Sequence, residues 1–383
     1  MKRRLVIVTE IIAPYRIPVF NALAARADID LHVIFLAETD PGLRQWQVYK
    51  DEIRFSSEVL RSSRWRLGRA HLLWTRGTRT ALERARPEVV VCGGYNYFAM
   101  WQAQRWARRR GVPFLLWSES NAADARSRLP WVESAKRRFV SACDGYVVPG
   151  RTAGDYLRTF GVETTKIFTA PNAVDVDRYA RGAEAALGDP RARARLGLPA
   201  RYLLFVGRFV RSKGVLDLLS AYATLPEETR QAVGLVLAGD GEERDALHRS
   251  ARAIRPGEIL FPGFLQRDEL PGYYALADML VFPTRSDPWG LVVNEAMACG
   301  LPVIVTEVAG CVADLVTEGE NGLVVRPGDI SGLSQAMMKL LSASEVRRTM
   351  SDRCRERSSR FTPEAWAAGV ACAAGAMLGD RRG

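Results

Sequence analysis

Residues 281–305 read VFPTRSDPWGLVVNEAMACGLPVIV. An apolar run at 279–282 predicts a buried strand, turn formers fill 283–290, and 291–299 predicts a helix. A Gly-Leu-Pro break at 300–302 then leads into a second strand at 302–305. Strand, loop, helix and strand in this order are the building unit of a parallel α/β sheet. In open sheets of this kind ligands sit at the carboxyl ends of the strands. There the first amides of each following helix point outward without partners and attract anions. The loop at 287–290 occupies such a place, so the amides of Gly290, Leu291 and Val292 suit a phosphate. Two carboxylates, Asp287 and Glu295, stand along the same stretch with seven residues between them. Acids repel phosphate but accept hydrogen bonds from hydroxyl groups. A ligand with sugars at either end of a phosphate, a nucleotide-sugar, satisfies both demands.

These residues resemble the donor-site motif of the retaining glycosyltransferases of family 4. That motif has a Glu, seven residues and a second Glu, with Phe-Gly after the first acid and Ala-Met-Ala-x-Gly-x-Pro-Val after the second. Here it reads Asp287-Pro-Trp-Gly290 and then Glu295-Ala-Met-Ala-Cys-Gly300-Leu-Pro302-Val303, with Asp for the first Glu and Trp289 for Phe. The resemblance implies the GT-B fold: two Rossmann-like parallel-sheet α/β domains facing across a cleft.

Working outward toward the amino terminus, strand patterns at 4–9, 31–36, 88–91, 113–117, 145–148 and 166–169 alternate with helix patterns at 17–26, 73–84, 97–109, 131–141 and 151–160. Such alternation predicts a parallel sheet covered on both faces. The pattern stops near 171–175 and restarts at the strand 202–206. We therefore expect an acceptor-binding domain at 1–179, a linker at 180–200 and a nucleotide-sugar-binding domain at 201–361. A final helix lies within 362–383, and the resemblance implies that it crosses back to the first domain.

The turn after the strand 202–206 reads Gly207-Arg208-Phe-Val-Arg-Ser-Lys213-Gly214. Gly207 lets backbone approach a ligand, and Arg208 and Lys213 supply a planar fork and a point charge for a diphosphate. The string resembles the family's Gly-Arg-x-x-x-x-Lys-Gly, spacing included. Gly239 opens a Gly-Asp-Gly turn after the next strand, and Phe264 and Leu265 follow the one after that. The resemblance places the nucleobase-binding loop at Phe264 and Leu265, with backbone atoms reading the base, so uracil and guanine both stay open. Asp175-Val-Asp177 has the spacing of a metal-binding Asp-x-Asp, but its position fits a turn cap better. With His32, His71 and His248 isolated, we expect no metal and no cofactor.

In the amino-terminal half, the strand-end loops carry Arg16, Tyr95 and Asn96, which can hydrogen-bond an acceptor. The loop at 118–121, Ser-Glu-Ser-Asn, holds Glu119 where many relatives carry a His near the reacting sugar. Glu119 is the candidate replacement, and helix capping by Ser120 or Asn121 is the competing account.

Six scattered cysteines without a C-x-x-C pair suggest neither a disulfide frame nor a zinc site, which favours a cytoplasmic compartment. Glu10 interrupts the apolar run that follows the start, against a signal peptide, and the uncharged run 365–379 is too short to span a bilayer. The net charge is +11. Residues 54–86 hold nine arginines against Glu58 and Glu83, interleaved with Trp65, Leu67, Leu72, Leu73 and Trp74, and the theme returns at 101–110 and 126–131. Cations with interleaved aromatics predict peripheral attachment to an anionic membrane surface, on the inner face. No nucleic-acid motif accompanies the charge.

Together these readings imply a metal-independent, retaining hexosyltransferase that uses a UDP- or GDP-linked sugar. Its acceptor would be a glycan or lipid-linked intermediate of cell-surface polysaccharide or lipopolysaccharide synthesis. An epimerase acting on sugar nucleotides and a non-catalytic nucleotide-sugar-binding protein remain as alternatives on the same fold.

Overall fold

A computed structural model describes residues 2–40, 45–67, 70–124 and 130–379. The chain divides into two compact units, residues 1–173 with 362–383 and residues 174–361.

The first unit holds β1 (Arg3–Thr9), β2 (Ile29–Phe35), β3 (Ser56–Val59), β4 (Arg61–Leu67), β5 (Ala70–Arg76), β6 (Val89–Cys92), β7 (Phe114–Trp117), β8 (Gly145–Val148) and β9 (Ile167–Thr169). All but β4 and β5 form one sheet in the order β3-β2-β1-β6-β7-β8-β9, and every pairing is parallel. Residues 5–8 of β1 are all buried, Leu5 and Ile7 in one cluster and Val6 and Val8 in another. A strand covered on both faces must be apolar at every position rather than at alternate ones.

The Ala- and Gly-rich run near the carboxyl terminus forms helix Pro363–Gly379, which lies in this unit against helix Ile17–Ala24. Small residues allow the close approach. A Cβ on Gly369 would run into the Thr169 carbonyl and come within 2.7 Å of the Ala170 Cα. Trp366 anchors the contact, its ring 5.7 Å from that of Phe20 and 5.2 Å from that of Trp117.

One element departs from its predicted type. The pattern at 73–84 predicts a helix, whereas residues 70–76 are strand β5, paired antiparallel with β4, and the helix is Thr78–Ala85. Leu73 and Thr75 point inward while Trp74 and Arg76 are exposed, a period of two. Gly77, at φ +91°, turns the chain from strand to helix. Of the basic strings, residues 68–69 and 125–129 lie outside the described residues.

The second unit holds β10 (Tyr202–Val206), β11 (Gly234–Ala238), β12 (Ile259–Gly263), β13 (Met279–Phe282), β14 (Val303–Thr306) and β15 (Gly322–Val325). They pair in parallel in the order β12-β11-β10-β13-β14-β15. Residues 180–200, read from the sequence as a linker, contain most of helix Val176–Gly188 and all of helix Ala192–Arg195. Tyr179 and Ala183 of the first of these helices are buried in the core of the second unit, and the helix packs on helix Leu270–Ala275. Asp175 caps it, accepting from the Arg178 amide at 3.0 Å, so the Asp-x-Asp string ends in a cap. Among the described residues, no helix is long and apolar enough to cross a membrane.

Candidate active site

In the second unit the chain leaves β10 toward β11 and β12 on one side, then returns to place β13 on the other. The reversal opens a crevice between the carboxyl ends of β10 and β13, where ligands bind in sheets of this kind. Two loops meet there and are bound together by backbone. The Ser212 carbonyl accepts from the Arg285 amide at 2.8 Å and from the Thr284 hydroxyl at 2.9 Å. Gly214, at φ +65°, passes so close to Pro283 that a Cβ would collide with the Pro283 carbonyl. Arg285 forks onto Asp217, at 2.8 and 2.7 Å, and pins the second loop to the helix that follows the first.

Within this frame the Lys213 ammonium donates to the Asp287 carboxylate, with both side chains largely buried. The other oxygen of Asp287 accepts from the Trp289 amide at 3.1 Å, and the Asp287 carbonyl accepts from the Gly310 amide. Gly290, at φ +99°, is the N-cap of helix Leu291–Ala298, and a Cβ there would lie 2.8 Å from the Phe282 ring. The cap offers no side chain to the first helical amides, so Leu291 and Val292 keep theirs directed outward. Gly207 and Gly239 stand at neighbouring strand ends, their amides donating to Ala238 and Gly263 at 3.0 and 2.8 Å. Arg208 follows Gly207 in the same loop as Lys213 and is exposed.

Glu295 sits in the second turn of that helix. The Tyr274 hydroxyl donates to it at 2.6 Å, and Tyr179 supplies a second phenol hydrogen bond. Burial pushes the Glu295 carboxyl up to about 7, against the opposing pull of the two phenols. Phe264 is 39% exposed just beyond β12, and Leu265 packs against the core.

The family described as Glycosyltransferase Family 4 matches residues 20–178, and that described as Glycosyl transferases group 1 matches residues 188–357. Glycogen synthase of Mycobacterium tuberculosis is 30% identical over 320 residues, which cover 79% of this chain and 73% of that protein. The chain belongs to the family 4 glycosyltransferases. The lipopolysaccharide core biosynthesis glycosyltransferase LpsE of Rhizobium meliloti is 35% identical over 167 residues, 43% of this chain and 47% of LpsE. The crystal structure of Anabaena Alr3699/HepE in complex with UDP-glucose has a TM-score of 0.74 at 17% identity, covering 96% of this chain and 98% of that one. That likeness is one of fold, and the two parallel-sheet α/β units are those of GT-B glycosyltransferases.

In the first unit of this glycosyltransferase the sheet also reverses, between β1 and β6, and the sequence-predicted acceptor residues cluster at that end. The Arg16 guanidinium donates to Glu119 at 2.7 Å and lies 3.9 Å from the centroid of the Trp117 ring. Burial works against the Arg16 charge, but Glu119 and Tyr15 outweigh it and hold its pKa above the ordinary arginine value. Glu119 is thereby tied to a cation, an arrangement its sequence neighbourhood does not disclose. Tyr95 and Ser120 lie within 3.4 Å through their hydroxyls, Asn121 is buried, and Asn96 is exposed.

Several residues of the glycosyltransferase's two sites escaped the sequence reading. Tyr179, Tyr274, Asp217 and Arg285 orient the second-unit residues. Lys136 lies among the rings of Tyr95, Tyr156 and Phe160, at 5.8, 4.6 and 5.3 Å, and Tyr97 donates to Glu10 beside β1. An isolated Tyr or Lys on a helix carries no spacing signal, so only proximity in the fold marks these residues.

Proposed function

We propose that the protein is a retaining, metal-independent hexosyltransferase. It moves a sugar from a UDP- or GDP-linked donor to a hydroxyl of a lipid-linked glycan intermediate in cell-surface polysaccharide or lipopolysaccharide synthesis. The single observation that carries the proposal is the meeting of Lys213 and Asp287 beside the open end of helix Leu291–Ala298. A phosphate cation and a sugar-hydroxyl acceptor lie together, next to amides that suit a diphosphate.

The bond from the anomeric carbon to the phosphate oxygen breaks while the acceptor oxygen bonds to the same face of that carbon. The acceptor's proton passes to the departing diphosphate, so no enzymic nucleophile is required. Negative charge grows on the leaving group, where Arg208, Lys213 and the amides of Leu291 and Val292 stabilise it more in the transition state than in the ground state. Asp287 holds sugar hydroxyls, Glu295 the ribose hydroxyls, and the backbone at Phe264 and Leu265 the base. Arg16, Tyr95 and Asn96 hold the acceptor, and Glu119 orients Arg16 and takes the part of the His that many relatives carry. UDP-glucose bound to the structurally similar HepE supports a nucleotide-sugar donor, and LpsE supports an envelope glycan as product. The enzyme works in the cytoplasm, peripheral to the inner face of the membrane.

Thermal-shift measurements across UDP- and GDP-sugars identify the donor, because bound ligand raises the melting temperature with affinity and concentration. Proton NMR of the glycosylated product then reads the anomeric configuration. Inversion relative to the donor would refute retention, and absence of stabilisation by every nucleotide-sugar would refute the donor assignment.

A further inference from the structure

The β4–β5 ribbon stands outside the seven-stranded sheet of the first unit, and its two faces differ sharply. On the inward face Leu73 and Thr75 are buried, and Arg64 is paired with Asp40 and donates to the Thr39 carbonyl at 2.6 Å. The outward face carries Arg61, Ser63 and Trp65 on one strand and Trp74 and Arg76 on the other, all exposed. The register sets Arg61 directly opposite Arg76 and Ser63 opposite Trp74. Trp65 is 69% exposed and Trp74 48%. Phe98, 54% exposed, stacks on Trp74 with ring centres 5.4 Å apart and planes 8° from parallel.

Two features of this face are unfavourable in water. Like charges directly opposite on a ribbon repel, and clustered exposed rings leave a large apolar area wet. Three acidic side chains nearby pair with other arginines: Asp40 with Arg64, Glu58 with Arg84, and Glu83 with Arg79 and Arg110. Indoles settle at the boundary between headgroups and acyl chains, and arginines extend along apolar surface to reach phosphate.

We propose that this ribbon face docks the first unit on an anionic lipid bilayer, with Trp65, Trp74 and Phe98 at the interfacial boundary and Arg61 and Arg76 on headgroup phosphates. The inference adds a specific surface to the membrane location proposed above and rests on that reading. The binding itself is measured with neither donor nor acceptor present.

The test is sedimentation of the full chain with vesicles at physiological salt. One set contains equal parts phosphatidylcholine and phosphatidylglycerol, the other phosphatidylcholine alone. The expected result is affinity at least ~10-fold higher for the anionic vesicles. Trp65→Ala with Trp74→Ala, and separately Arg61→Glu with Arg76→Glu, each lower that affinity by at least ~10-fold. The melting temperature and its rise with UDP stay at wild-type values in both variants. Wild-type vesicle affinity in both double variants overturns the proposal. So does a dimer that dissociates in the tryptophan variant while vesicles fail to bind, or retention on duplex DNA as strong as that on vesicles. If docking follows the ribbon but no lipid-linked glycan is glycosylated, the docking surface stands and the acceptor assignment falls.

Discussion

The crevice of the second unit and the strand ends of the first unit occupy the same place in their sheets, yet they are built differently. In the second unit the loops after β10 and β13 are bound to each other by backbone hydrogen bonds and by the Arg285 fork, and Lys213 and Asp287 meet inside that frame. In the first unit Arg16, Tyr95 and Glu119 arrive from three separate strand ends, and the contacts around them are made by side chains: the Arg16–Glu119 ion pair, the Arg16 guanidinium over the Trp117 ring and the Tyr95–Ser120 hydroxyl pair. The crevice proposed for one chemical group, a diphosphate, is framed by rigid backbone. A site whose ligand differs between relatives is served by side chains on loops that can change without disturbing the sheet.

The most severe test of this contrast is Lys213→Ala. Turnover should fall about 10²- to 10³-fold, as for loss of one preorganised charge stabiliser, with the fold retained at a lower melting temperature because the largely buried Asp287 loses its partner. Initial rates with the identified donor measure this, and near-normal turnover would remove the distinction between the two units.

Next comes the Arg16–Glu119 pair. Arg16→Ala and Glu119→Ala should each raise the acceptor KM while leaving UDP binding unchanged. The double variant should reveal a coupling of about 0.5–3 kcal/mol, because either residue alone loses its partner. Additive effects on the acceptor KM would show that the pair does not act as a unit.

Titration of Glu295 offers a finer discrimination, since its carboxyl is raised mainly by burial, to about 7. In the proposed role the ionised form accepts from ribose hydroxyls, so affinity for the donor's nucleoside diphosphate should fall as pH drops through about 7. Tyr274→Phe removes a bond that holds this value down, so its midpoint should move upward. Stability has the opposite dependence. The protonated carboxyl is favoured by the fold, so its contribution is complete below the ordinary value of 4.5 and is lost as pH rises through about 7. Glu295→Gln should therefore gain on wild type, by up to roughly 3 kcal/mol, between about pH 5 and about pH 8 in chemical denaturation. A flat difference across that range would contradict the titration.

The smallest effect is expected at the Arg79–Glu83 pair, an exposed i,i+4 contact remote from both sites. Arg79→Ala should lower the melting temperature only marginally and leave turnover unchanged. A larger loss would mean that this arginine has a role its geometry does not show.

How much was readable in advance follows the same division. The alternation of apolar strands with helices announced two parallel sheets, because a strand buried on both faces has no polar position. The placing of Lys213, Gly214, Asp287, Gly290 and Glu295 on two strand-end loops and the helix after them was legible because turn glycines and charges recur there at short, fixed spacings. The ribbon β4–β5 was misread over 73–76, where four residues of alternating pattern adjoin a true helix and period two cannot be separated from period 3.6 over so short a run.

By itself the amino-acid sequence determined the fold class, the strand-end loops with their glycines and charges, and the excess of arginine, since each is a local property of periodicity, spacing or composition. Only the tertiary structure decided that two phenols bind Glu295, that Arg285 ties two loops through Asp217, that Glu119 is paired with Arg16 and that Trp65 and Trp74 share one exposed face with Arg61 and Arg76. These relations join side chains that are distant in the chain or on paired strands. Their energies depend on distance and burial, and the order of residues along the chain specifies neither until the sheets have formed.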